Sequence, residues 1–333
     1  MSWPKALIWI VVVAVLTGAA MAGIVAWRLH APVTLPGGGP VEFELTPGTS
    51  LKGTAAELTR RGLVDEPELF VLAGRLLGRA GAIKAGHYQI TRPHSPLELL
   101  DKITRGDVTL AEITFIEGWT FRQLRAALDQ HPDLRHETAA LNESQLLAAI
   151  GASAPSLEGL FFPDTYFFSK GSSDLEVLRR AYRTMQEHLD QAWAERRPGL
   201  PLGDPYQALI LASIVEKETG RESDRTMVAG VFVNRLRLGM RLQSDPTVIY
   251  GMGSSFDGNL RKKDLADNTP FNTYTRDGLP PTPIALPGRA SLQAVTRPAE
   301  TKALYFVARG DGTSEFSDSL ADHNRAVNRY QRR

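Results

Sequence analysis

Glu216, Lys217 and Glu218 close a stretch, Asp204 to Gly220 (DPYQALILASIVEKETG), that is otherwise almost wholly apolar or small. Asp204 suits an N-cap, Pro205 suits the first helical position and Gly220 supplies a stop, so the spacing predicts one helix. At 100° per residue nearly every sector is filled by Ala208, Leu209, Ile210, Leu211, Ala212, Ile214 or Val215, which predicts burial all round. Glu218 projects between Ile214 and Leu211, the most apolar sector, whereas Glu216 lies beside Ala212 and Ser213. A carboxyl in that place is desolvated and faces the negative end of the helix dipole, and both effects favour the protonated form. The chemistry this implies is general-acid catalysis by Glu218. The competing reading is a helix end where Glu216 and Glu218 pair with Lys217, Arg221 or Arg225.

Few other residues could act with it. A hydrolase built on one carboxylic acid would normally need a second carboxylate, to act as nucleophile or to activate water. Asp245 is the first choice and Glu216 the next, but Asp245 stands before Pro246, where an Asp or Ser244 would cap a helix. Hydrogen-bonding side chains gather at Gln243 to Gly251 (QSDPTVIYG) and again at Asn272 to Thr275 (NTYT). The run Gly278 to Gly288, with Pro280, Pro281, Pro283 and Pro287, predicts a stiff loop suited to the wall of a groove. The chain has no Cys, which excludes thiol catalysis, disulfides and Cys-ligated zinc, and its seven His residues show neither i,i+4 pairs nor HExxH. No metal or cofactor is therefore expected. A net charge of +1 without a dense basic run leaves no footprint for nucleic acid.

The elements that must position these residues follow from patterning. Ala6 to Trp27 carry no charge and are long enough to span a bilayer. Ala20-Met21-Ala22 resembles a cleavage site, but the apolar run continues past it, so an uncleaved anchor over 6–27 is expected, with residues 1–5 as a cytoplasmic tail and the bulk exported. Gly18 and Gly23 lack the spacing of a close-packing helix motif. Residues 28–40 form a Pro/Gly linker. Strands at Val41 to Leu45 and Gly86 to Ile90, with helices opened by Ser50, Pro67 and Ser95, make a small α+β unit over 41–107. Thr109 to Ile116 reads as a strand, and Thr120 with Gln123 as a capping box for a helix through Gln130; residues 131–153 give no clear pattern. Phe161, Phe162 and Tyr166 read as core, with a sugar-binding cleft as the alternative. Asp174 to Arg196 is an amphipathic helix that would pack on the central one. Asp224 is expected to cap a helix ended by Gly239, Ser291 to begin another, and a hairpin and a last helix carrying His323 follow. The fold class is α+β, with a larger, mostly helical unit over 108–333.

The motifs ASIVEKET (Ala212 to Thr219), FVNRL (Phe232 to Leu236), RLQSDPTVIYG (Arg241 to Gly251), FNTY (Phe271 to Tyr274) and GLPP (Gly278 to Pro281) resemble the endolytic murein transglycosylase, or YceG-like, family of bacterial cell-envelope enzymes. EGLFFPDTY (Glu158 to Tyr166) and AGHY (Ala85 to Tyr88) are similar to it too. Thr282, Leu286 and Ile116 depart from that pattern. The resemblance implies an inner-membrane, single-pass lyase whose catalytic domain is periplasmic. It would cut peptidoglycan glycan strands internally and leave 1,6-anhydro-N-acetylmuramic acid ends. The second Glu of the E-K-E triplet, Glu218, would be its catalytic acid. The small domain would resemble a LysM module, and peptidoglycan synthases are expected beside it. For such a substrate, Gln243, Asp245, Thr247, Tyr250, Asn272, Thr273 and Tyr274 are expected to hold the sugars, with Ser213, Glu216 and Lys217 supporting Glu218. A muramidase-type hydrolase using Asp245 and a non-catalytic glycan-binding scaffold are the alternatives.

Overall fold

A computed structural model describes residues 3–331; Met1 and Ser2 of the expected tail, and Arg332 and Arg333, lie outside the described residues. The chain is a mixed α/β protein in which helix predominates. It forms two compact units: 1–111 with 167–172, and 112–166 with 173–333.

The first unit begins with α1 (Trp3–His30). Residues Ile8–His30 have a mean hydropathy of 2.5 and none of their apolar window is buried, so this helix is apolar enough to serve as a membrane anchor or a signal sequence. Strand β1 (Val41–Leu45) pairs antiparallel with β2 (Gly86–Ile90). Between them run α2 (Leu51–Arg60) and α3 (Pro67–Leu76), and α4 (Pro96–Arg105) follows. Ser50 caps α2 through the Gly53 N–H, and Ser95 with Glu98 forms a full capping box on α4. Alternation in β1 turns Phe43 and Leu45 inward, where Phe43 stacks on its cross-strand partner Tyr88 at 5.4 Å over Leu58, Leu100 and Ile103.

The second unit is built around α8 (Pro205–Glu218). Asp204 caps it by accepting from the Gln207 N–H at 2.8 Å, and every residue from Ala208 to Val215 is buried. Four helices pack on it: α7 (Asp174–Ala194), α9 (Glu222–Arg237), α10 (Asp245–Met252) and α12 (Arg289–Thr296). An apolar surface on all sides needs such a full jacket. Other elements of the unit include α5 (Phe121–Asp129), α6 (Glu143–Ile150), α11 (Lys262–Ala266), α13 (Leu320–Tyr330) and the antiparallel hairpin Tyr305–Ala308 with Ser314–Ser317. The chain passes between units within the strands Leu110–Thr114 and Thr165–Ser169, and again between Ser172 and Ser173.

Several local expectations change. The strand expected over Thr109 to Ile116 is shorter, and α6 and α11 arise in segments without clear periodicity. Asp224 does not cap α9, which starts two residues earlier after Arg221; its carboxylate instead accepts from the Ser314 N–H at 2.8 Å. Neither Ser244 nor Asp245 makes a side-chain cap on α10, since both side chains are committed elsewhere. Phe161 and Phe162 are core rather than cleft: Phe161 is buried against Phe121, and Phe162 packs on His188. The loop that carries them is pressed to the Pro-rich run at Gly159 (φ +78°), where a Cβ would lie 2.4 Å from Pro283.

Candidate active site

The end of α8 meets three loops. Glu216 is drawn away from the others: its carboxylate accepts from the Gly288 N–H at 2.9 Å and lies 3.8 Å from Arg225. Glu117, which sits where a Cβ on Gly288 would collide with it, is pushed up by burial and then by the negative charge of Glu216. Ser213, one turn back, donates to the Ile210 carbonyl and accepts from the Ile284 N–H at 3.0 Å, tying the Pro-rich loop to α8. Lys217 is exposed and donates to the Gly118 carbonyl at 3.2 Å. The structure thus brings neither Ser213 nor Lys217 to Glu218; both hold the surrounding loops.

Glu218 receives one hydrogen bond from the described residues, from the Ser244 hydroxyl to Oε1 at 2.5 Å. Part of the side chain is exposed, yet burial is the largest influence on its carboxyl and, with the charge of Asp245, pushes it up to about 7. The Ser244 hydroxyl and the Arg235 charge pull the other way but do not cancel the desolvation. A carboxylic acid that holds its proton near neutrality can donate it.

Ser244 is placed by a strained turn. Gln243 just before it has φ +51°, the one positive value at a non-glycine among the described residues. Two anchors hold that conformation: the Gln243 N–H donates to the Thr273 carbonyl, and its side-chain oxygen accepts from Arg235 at 3.2 Å. Arg235 also donates to the carbonyls of Leu304, Arg241 and Leu242. The Ser244 N–H donates to the Thr273 hydroxyl, and the Thr247 hydroxyl donates to the Ser244 carbonyl. With that proton used, the 2.8 Å contact between Thr247 and Thr273 is a donation by Thr273.

The residues expected to hold sugars therefore divide. Thr247, Asn272 and Thr273 are buried and spend their polar atoms inside: the Asn272 amide nitrogen donates to the carbonyls of Asp264, Leu265 and Asp267, and its oxygen accepts from the Tyr274 N–H. Gln243 and Asp245 are exposed, and Tyr274 is half-buried with its hydroxyl donating to Asp245 at 2.5 Å. Tyr250 is elsewhere along α10, its hydroxyl donating to Glu158 at 3.0 Å. Ser244, Arg235 and Glu158 were not among the expected site residues. A lone Arg in the apolar run AGVFVNRL was the available signal for Arg235; Ser244 resembled an ordinary cap, and Glu158 was hidden in an aromatic core stretch. Among the described residues no cluster of His, Asp and Glu is arranged to hold a metal ion.

Residues 43–329 match the model of the YceG-like family. The chain belongs to the YceG-like family. Similar proteins include the endolytic murein transglycosylase of Bacillus subtilis (strain 168), 29% identical over 308 residues that cover 87% of this chain and 84% of that protein. The endolytic murein transglycosylase of Streptococcus pneumoniae serotype 2 (strain D39 / NCTC 7466) is 25% identical, with 84% of this chain covered; the match spans only 56% of that longer protein. The 2.6 Å crystal structure of a yceG-like protein from Listeria monocytogenes superposes on this YceG-like chain with a TM-score of 0.53. The two are 25% identical, and the match covers 86% of this chain and 98% of that one.

Proposed function

We propose that this protein is an endolytic peptidoglycan lytic transglycosylase with Glu218 as its catalytic acid. The observation that carries the proposal is the Glu218 carboxyl itself, held up to about 7 by burial and, among the described residues, bonded through one oxygen only. Family membership and the names of the relatives support the substrate class. The Ser244 hydroxyl occupies Oε1, so the acidic proton resides on Oε2, free to be passed to the glycosidic oxygen. As that bond breaks and an oxocarbenium-like centre develops on the muramic sugar, Glu218 becomes a carboxylate. It then takes the proton of the same sugar's C6 hydroxyl, whose oxygen closes on the anomeric carbon. Atoms balance without water: a 1,6-anhydro end and a free 4-hydroxyl are formed, and Glu218 is protonated again.

Gln243, Asp245, Tyr250 and Tyr274 are assigned to contact with the sugars, and Thr247, Asn272 and Thr273 to holding Ser244 and Tyr274 in place. Asp245 is spoken for by the Tyr274 hydroxyl, and its charge adds to the burial that keeps the neighbouring acid protonated, which favours the lyase over a hydrolase that would use Asp245 directly. The α1 helix would anchor the chain in the plasma membrane with the catalytic domain, 108–333, outside the cytoplasm beside peptidoglycan synthases, and a LysM-like domain over 41–107 would bind glycan. The test is mass spectrometry of murein digested by the wild type and by Glu218→Gln. Products one water lighter than muramidase fragments, without a reducing end, and none from the variant, are expected. Ordinary reducing ends would make the protein a hydrolase, and unchanged murein with both proteins would leave a glycan-binding scaffold.

A further inference from the structure

A cavity of about 710 Å³ opens beside Glu158, between α5, the start of α6, the Ser156 to Glu158 loop and Tyr250. Its apolar lining includes Phe121, Leu146 and Leu157, and its acidic groups are already satisfied. Arg125 pairs with Asp129; Glu143 accepts from the Ser156 hydroxyl and the Leu157 N–H; Glu158 accepts from the Phe121 N–H and the Tyr250 hydroxyl. Arg125 is further committed to Thr138. Arg122 is different: it is exposed on α5, lines the cavity, acts on Glu158 only through space, and has no hydrogen bond or ion pair among the described residues. An apolar cavity with a single uncommitted guanidinium is complementary to a ligand that is mostly aliphatic and carries a carboxylate.

We infer that this cavity is a subsite for the peptide stems of the glycan strand, with a stem carboxylate on Arg122 and the alanine methyls on Phe121, Leu146 and Leu157. The inference rests on the peptidoglycan reading above and adds to it what the enzyme recognises beyond sugar. Its position is suitable, because Tyr250 lies on the same short helix as Asp245, about 7.5 Å of rise and about 140° around the axis away, a separation that a strand carrying extended peptide stems can bridge.

The experiment is calorimetric titration of the full-length protein in detergent micelles with a synthetic stem pentapeptide, for the wild type, Arg122→Ala, Arg122→Lys and Ala126→Trp. Ala126 is exposed on α5 and lines the cavity, so an indole there fills it without removing a hydrogen bond. Arg122→Ala and Ala126→Trp should each weaken the peptide about tenfold, with partial recovery in Arg122→Lys. In turnover, the wild type should show a lower KM for stem-bearing than for amidase-stripped strands, and both weakening variants should lose that preference. Peptide affinity that is undetectable, or the same in all four proteins, overturns the inference even if strands are cut. So does a KM for stripped strands that rises with Arg122→Ala, because the Arg122 guanidinium would then hold sugar rather than a stem carboxylate. Peptide binding of the expected pattern with no cleavage of either substrate keeps the subsite and removes the lyase reading.

Discussion

Glu218 and Glu158 are both pushed up to about 7 with burial as the first cause, yet the structure treats them oppositely. Glu158 is almost completely buried, and both of its oxygens are occupied: one by the Phe121 N–H at the start of α5, the other by Tyr250 on α10. It joins two helices. Glu218 sits at the end of a buried helix with one oxygen on Ser244 and the other uncommitted among the described residues. A raised carboxyl is thus not enough to mark an acid catalyst. What separates a proton that can be delivered from one that only records desolvation is an oxygen left open toward the surface.

The largest expected effect breaks or keeps this comparison outright. Glu218→Gln should lower kcat by about 10³-fold with glycan binding within a few-fold of the wild type, by single-turnover assay and pull-down. Glu158→Gln should change kcat by less than tenfold, and a loss as large as that of Glu218→Gln would reverse the roles.

Glu158 should instead register in stability. Its folded-state proton is held to about 7 while the unfolded chain releases it near 4.5. Its contribution is therefore fully present below about pH 4.5 and lost as pH rises through 7. Urea unfolding at several pH values should show Glu158→Gln losing up to about 3 kcal/mol of that slope. The Asn272→Ala variant sharpens the same division between polar atoms spent inside and those left open. Three carbonyls and the Tyr274 N–H lose their partner, so stability should fall by about 2–3 kcal/mol, read as a drop in Tm of about 5–10 °C.

The smallest effect is the most specific. The Ser244 hydroxyl lowers the Glu218 pKa, so Ser244→Ala should raise it. In the wild type, kcat/KM should fall as pH rises through about 7, because the acid form is lost; in Ser244→Ala that limb should move to higher pH, with a loss of about tenfold at the optimum. An alkaline limb that stays in place would detach Ser244 from the acid.

Much of this architecture was legible in the residues alone. Period-3.6 and period-2 patterning with caps at Ser50, Ser95, Thr120 and Asp204 marked most helices and the first strand pair, because these are local interactions that a short window contains. The apolar surround of Glu218 was readable for the same reason, since one helix carries both the carboxyl and the side chains that bury it. The start of α9 was not legible, because there the long-range bond from Ser314 to Asp224 outweighs local preference, and neither was α11, whose five residues are too few for a period to show.

By itself, then, the sequence determined that one helix is buried and that an acid sits at its end. Only the tertiary structure decided who reaches that acid. Ser244 comes to it because Gln243 is held in a left-handed turn by Arg235 and Thr273, while Thr247 and Asn272 turn inward. No spacing along the chain encodes those choices. They follow from which polar groups would be stranded without water once the helices close, and each buried donor takes the acceptor that packing brings within reach.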